Sequence, residues 1–123
     1  MPTKTERRGQ SVLIVEDDAI CRCALVQVLS QLGFETVPVA TVAEGLEKLD
    51  GQQRAILDLN LPDGLGTVIL KRIRNENRAI RVAVTSATPD GALLDECRHL
   101  HAELVLRKPI NVNELLEWLE RAG

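Results

Sequence analysis

The sequence predicts an α/β protein: a single doubly wound (βα)5 domain with a mostly parallel sheet and helices on both faces. Three observations predict it. Short β-like runs alternate with amphipathic stretches five times along the chain, the pattern of βαβ units. The first run is apolar throughout, as a strand buried on both faces should be. The length of 123 residues is that of one domain, enough to close its own core.

The elements follow in order. Residues 11–16 (SVLIVE) form the first strand. A helix is expected over 19–32, with Cys21, Ala24, Leu25, Val28 and Leu32 on one stripe, and Gly33 stands where a helix-ending glycine belongs. Residues 34–39 (FETVPV) form the second strand. Pro38 cannot donate a ladder hydrogen bond, so this strand belongs at a sheet edge. Thr41 caps a helix over 42–49, with Glu44 completing a capping box. Residues 53–57 lead as the third strand into Asp58, and a helix spans 65–75. The fourth strand covers 81–85. Thr88 as cap and Pro89 at the first helical position open a helix that runs to about residue 100. Residues 103–106 form the fifth strand, and Asn111 caps the last helix, with Glu114 three residues on and Leu115, Leu116 and Leu119 facing inward. Right-handed crossovers leave few topologies. The flavodoxin-like order 2-1-3-4-5 puts strand two at an edge, as Pro38 requires, and opens a crevice at the carboxyl ends of strands one and three.

Composition excludes several classes. A hydrophobic fraction of 45% with 27% charged residues is that of a folded globular chain. The net charge of −3 offers no electrostatic footprint for nucleic acid. Lys71, Arg72, Arg74, Arg78 and Arg81 cluster locally, and we read them as a solvated helix face plus loop. Residues 1–10 form a polar N-terminal extension with no apolar core, so they are not a signal peptide. No run approaches the roughly 18 apolar residues of a membrane span, and the expected location is cytoplasmic. Cys21, Cys23 and Cys97 are odd in number and lack metal-ligand spacing with His99 and His101. They read as idle or buried thiols, and the histidines as surface or loop residues.

The chemistry-bearing residues fall at the predicted strand ends. Strand one ends in Glu16-Asp17-Asp18, strand three in Asp58, strand four in Thr85-Ser86 and strand five in Lys108-Pro109. One Asp after one strand is explained by helix capping; four polar strand ends on one edge are not. Carboxylates gathered there repel and raise one another's pKa unless a divalent cation sits among them. An oxygen-only ligand set with room for water suits Mg²⁺, with Mn²⁺ able to replace it. A lysine ammonium opposite the cation neutralises a carboxylate, and later phosphoryl oxygens. A hydroxyl at a neighbouring strand end hydrogen-bonds such an oxygen. One accessible carboxylate then acts as nucleophile on a phosphoryl donor, a reaction that needs positioning and charge compensation above all.

The motifs VLIVEDD (12–18), LDLNLPDG (57–64), VTSA (84–87) and LRKP (106–109) resemble the receiver domain of bacterial two-component response regulators, over nearly the whole chain, from about residue 11 to 119; residues 11–123 are then the receiver domain. The resemblance implies Asp58 as phosphoacceptor. It implies Mg²⁺ held by Glu16, Asp17, Asp58 and the backbone carbonyl of Asn60, with Lys108 paired to Asp58. Asp18 is either a further acid of this set or the cap of the first helix. Ser86, followed by a small residue and 22 residues before Lys108, matches the switch hydroxyl better than Thr85. Asn60 and Thr88 would line the approach to the phosphoryl group, and Pro109 would shape the loop through a cis peptide bond. Two positions depart from the family. Val105 replaces the aromatic residue three before the lysine, which puts the usual switch in doubt because valine has one stiff torsion. His101 replaces the glycine that ends helix four, so either histidine adopts a left-handed backbone or the loop is rearranged.

The implied partners are a sensor histidine kinase or histidine phosphotransfer protein and a downstream protein target. Direct nucleic acid or membrane binding is not expected. The chain starts at Met1 and stops shortly after the last helix, so a free-standing module without a DNA-binding domain is expected. The expected class is a phosphoacceptor rather than an enzyme. The competing readings are a pseudo-receiver that binds partners without phosphorylation and a small Mg²⁺-dependent phosphohydrolase.

Overall fold

Apolar strands that need cover on both sides dictate three layers, and a computed structural model describes that arrangement for residues 10–87 and 91–121. Five parallel strands, β1 (Ser11–Val15), β2 (Glu35–Val39), β3 (Arg54–Asp58), β4 (Arg81–Ser86) and β5 (Leu104–Arg107), line up in the order β2-β1-β3-β4-β5. Pro38 lies in the edge strand β2, where its missing N–H disturbs no second ladder. The helices are α1 (Ala19–Gln31), α2 (Val42–Glu47), α3 (Thr67–Asn75), α4 (Gly91–His99) and α5 (Val112–Glu120). Among the described residues no helix is long and apolar enough to cross a membrane.

Strand alternation divides the core in two. Leu13, Val15, Leu57, Val82 and Val84 point to the side covered by α2, α3 and α4, where Ile69, Leu70, Ile73 and Cys97 are fully buried. Val12, Ile14, Ile56, Ala83 and Leu106 point to the side covered by α1 and α5, against Leu25, Leu29, Leu115, Trp118 and Leu119. Trp118, absent from the expected inner face, is the largest fully buried side chain. Its indole N–H donates to Glu103 Oε1 at 2.9 Å.

Several expectations need correction. Ala24 is exposed, and the stripe of α1 centres on Leu25 and Leu29 instead, because these lie i, i+4 and meet the sheet together. Residues 64–65 do not start a helix: Gly64–Leu65 pairs with Asn60–Leu61 as a small antiparallel hairpin, and α3 begins at Thr67. The helix expected to reach residue 49 stops at Glu47. The Glu44 amide does donate to Thr41 Oγ1 at 3.1 Å, but the Glu44 carboxylate takes the Ala40 amide at 3.2 Å rather than that of Thr41. β5 starts one residue later than expected. The Thr88 cap, Pro89 and the approach role of Thr88 lie outside the described residues.

The basic cluster is only partly a solvated face. Lys71 and Arg72 are exposed. Arg74, by contrast, spends its guanidinium on the carbonyls of Leu100 (2.8 Å), Ile80 (3.2 Å) and His101 (2.9 Å). Arg81 binds Glu103 and the Arg121 carbonyl, each at 2.8 Å. These cations sit at the carbonyl-rich ends of helices, where positive charge is favoured.

Candidate functional site

The strands place the polar residues by continuing their own alternation. Glu16 follows Val12 and Ile14, Asp58 follows Ile56, and Lys108 follows Leu104 and Leu106, all toward the α1/α5 side. The β1–β3 register pairs Val15 with Leu57, so Glu16 and Asp58 come next as neighbours at the carboxyl edge. Lys108 joins them: its Nζ lies 2.5 Å from Glu16 Oε1 and 2.9 Å from Asp58 Oδ2. Asp58 Oδ1 accepts the Asn60 amide at 3.0 Å. Glu16 and Asp58 are buried, while Asp17 is exposed at the mouth. The Lys108–Pro109 peptide bond is cis.

Burial and the neighbouring Asp58 push the Glu16 carboxyl above the usual range, more than Lys108 draws it down. Burial pushes Asp58 up too. The bonds it shares with Glu16, the Asn60 amide and the Lys108 ammonium outweigh that and hold it below the usual range. Burial works against the Lys108 charge, but its two carboxylate partners hold its pKa well above the ordinary lysine value. Burial and the adjacent Glu16 push the Cys21 thiol up to about 11, which keeps it a neutral, unreactive wall.

The donor set fits a divalent cation. One oxygen each of Glu16, Asp17 and Asp58 lies within 4.8 Å of the others. Glu16 Oε2 is buried without a hydrogen-bond partner, a costly state for a carboxylate oxygen that metal ligation relieves. No hydrogen bond from a described residue reaches the Asp17 carboxylate. Three carboxylates face one ammonium, so negative charge is in excess. All-oxygen donors with an open side suit Mg²⁺.

The remaining candidates are placed as follows. Asp18 is the cap of α1: its carboxylate accepts the Ile20 amide at 2.9 Å and the Cys21 amide at 3.5 Å, and it stands apart from the three-acid group. The Asn60 backbone amide donates to Asp58 Oδ1. Thr85 pairs in register with Asp58. Ser86, the last residue of β4, falls by alternation on the other side with Val84, and its carbonyl accepts the Lys108 amide at 2.9 Å. Ser86 and Val105 line one cavity of about 200 Å³ with Leu94, Arg98, Leu106 and Arg107.

Three residues beyond those expected from the sequence also serve the site. A β-carbon on Gly66 would lie 2.1 Å from the Asp58 carbonyl oxygen, so only glycine lets the start of α3 lie against the end of β3. Asp63 accepts the Val42 and Ala43 amides at 2.8 and 3.1 Å, tying the hairpin after Asp58 to the start of α2. Arg22 donates to the backbone carbonyls of Glu16 at 2.8 Å and Asp17 at 3.3 Å. None carries a local signal for these roles, because each acts through a partner outside its own element's pattern.

Comparison with known proteins agrees with this geometry. The family model of the response regulator receiver domain matches residues 12–120. The Regulator of RpoS from Escherichia coli (strain K12) is 37% identical over 114 residues, covering 90% of this chain and 34% of that protein. The probable chemotaxis protein CheY of Rhizobium etli is 31% identical over 114 residues, covering 89% of this chain and 88% of that one. The chain thus spans about a third of the E. coli regulator's length. A CheY-like response regulator receiver domain protein from Methanospirillum hungatei JF-1 superimposes with a TM-score of 0.84 at 26% identity, covering 90% of each chain.

Proposed function

The chain belongs to the response regulator receiver domain family, and from that premise we propose that Asp58 accepts a phosphoryl group in a Mg²⁺-dependent reaction. The observation that carries the reading is Lys108 bridging Glu16 and Asp58 while three carboxylate oxygens stand within 4.8 Å of one another. Glu16, Asp17, Asp58 and the Asn60 carbonyl would hold the cation. When bound, Mg²⁺ supplies positive charge that offsets the negative charge of the incoming phosphoryl oxygens.

The chain's own residues do the rest. A carboxylate oxygen of Asp58 bonds to phosphorus as the phosphorus–nitrogen bond of a donor phosphohistidine breaks. The electron pair leaves with the imidazole, which takes up a proton. The depressed pKa of Asp58 keeps it ionised, as a nucleophile must be. Lys108, already on Asp58 Oδ2, moves a short way to pair with a phosphoryl oxygen. Ser86 supplies the hydroxyl for another, coming round the strand end from its cavity. The donor is a sensor histidine kinase or a histidine phosphotransfer protein, and the phosphorylated chain signals by binding a protein target.

The test is incubation with acetyl phosphate and Mg²⁺, read by intact mass. The expected result is a stoichiometric gain of one phosphoryl group that disappears in Asp58→Asn and with chelator. A parent chain that gains no mass overturns the proposal. Rapid multiple turnover would move the reading to a phosphohydrolase.

A further inference from the structure

The acidic turn between β1 and α1 must present two carboxylates to one cation, yet little in the turn holds them. The Glu16 amide donates to the Val39 carbonyl at 3.0 Å, which ties the strand end. The Asp18 side chain is spent on capping α1. No hydrogen bond from a described residue reaches the Asp17 carboxylate, so its position depends on the backbone beneath it. That backbone is held from one side by Arg22, whose Nη1 donates to both the Glu16 and Asp17 carbonyls.

Helix stability does not account for this placement. Arg22 is the fourth residue of α1, and its guanidinium reaches back beyond the helix start. A cation there opposes the helix dipole, whose positive end is at the N-terminus. The helix already has its cap, and the Arg22 amide already makes its helical bond to the Asp18 carbonyl at 2.9 Å. What the guanidinium does gain is a pair of adjacent peptide oxygens, both belonging to candidate metal ligands. Both bonds leave the one nitrogen Nη1, which the long arginine stem carries back past the start of α1; the shorter lysine stem reaches less far.

We propose that Arg22 is a positioning residue for the cation, holding the peptide units of Glu16 and Asp17 in the turn that presents their carboxylates. The proposal rests on the reading of Glu16, Asp17 and Asp58 as metal ligands. Groups that orient ligands typically change metal affinity about 10–100-fold when removed. Arg22 is half-buried, so a substitution that keeps an aliphatic stem there preserves the apolar contact such a stem makes.

The experiment is calorimetric titration of Mg²⁺ into the parent chain, Arg22→Met and Arg22→Lys, with the metal-free melting temperature of each. Arg22→Met keeps the aliphatic stem and is expected to bind Mg²⁺ roughly 10–100-fold more weakly at a metal-free melting temperature close to the parent's. Arg22→Lys should fall between the two. Phosphorylation of Arg22→Met by acetyl phosphate should recover at saturating Mg²⁺. Unchanged Mg²⁺ affinity in Arg22→Met overturns the proposal. So does weakened affinity that comes with a metal-free chain already unfolded at the assay temperature, unless Arg22→Lys, folded, also binds weakly. A parent that binds Mg²⁺ but takes no phosphoryl group sinks the reading of Asp58 and leaves the Arg22 result standing. A parent that takes the group while Arg22→Met matches its affinity does the reverse.

Discussion

At the scale of single residues, the site depends on side chains whose value lies in what they touch. Gly66 is required by the Asp58 carbonyl beside it, although its backbone is ordinary for any residue (φ −61°). Asp63 holds the hairpin after Asp58 through two amides of α2, and these amides hold its carboxyl below the usual range. A lowered folded-state pKa means the unfolded chain binds the proton more readily. The stabilisation is therefore whole above the unfolded carboxyl's pKa of about 3.9 and is lost as pH falls through the folded value. Asp63→Ala is expected to lower the urea midpoint at neutral pH, with the gap to the parent narrowing below about pH 4. A gap that stays constant across that range would show the charge to be irrelevant. Sequence pattern revealed neither role, since an Asp-Gly pair reads as a turn whichever element it binds.

At the scale of elements, helix endings show how one backbone device is built from unequal residues. Gly33, Asn77 and His101 close α1, α3 and α4 with positive φ of 95°, 52° and 59°. In each case the following amide reaches back to a carbonyl in the last turn: Phe34 to Leu29, Arg78 to Ile73, Ala102 to Cys97. This is the Schellman arrangement. Of the two alternatives open at His101, histidine therefore adopts the left-handed backbone, and the loop keeps its course. Arg74 binds the Leu100 and His101 carbonyls and steadies that turn from outside. A left-handed residue with a β-carbon costs roughly 1–2 kcal/mol, and glycine's extra unfolded-state freedom offsets about 0.5–1 of that. His101→Gly is thus expected to stabilise the chain by about 0.5–1 kcal/mol, measured by urea denaturation. A loss of stability would mean that the imidazole makes a contact outweighing the strain. The glycine at residue 33 announced its helix end in the sequence; the histidine at 101 left two courses open, because a residue with a β-carbon has no preference of its own for the left-handed region.

At the scale of the whole molecule, the question is how far a change at Asp58 travels. Ser86 ends the strand beside Asp58, and Val105 lies in register with Val84 on β5. The two share a cavity of about 200 Å³. A ring swinging into that space would repack the surface of β5 and α5. Valine has one stiff torsion and leaves the space open. Amide exchange with and without a beryllofluoride phosphoryl mimic is therefore expected to show protection around Asp58 and the hairpin at Asn60–Leu61, with little change along β5 and α5. Changes in β5 and α5 as large as those around Asp58 would refute this limit on the switch and show another route across the cavity.

The five βα units, the edge position of the proline strand and the four polar strand ends were all determined by the sequence alone. Each is a local pattern: apolar runs, helical stripes, a residue without an N–H, charged residues that no apolar strand needs. Tertiary structure decided which of those polar residues meet. It turned Asp18 away to cap a helix, brought Lys108 between Glu16 and Asp58, set Ser86 in a cavity beside Val105, and gave Gly66 and Arg22 their work on the backbone. These outcomes depend on register and on contacts between distant strands and helices, and a linear pattern carries no record of them.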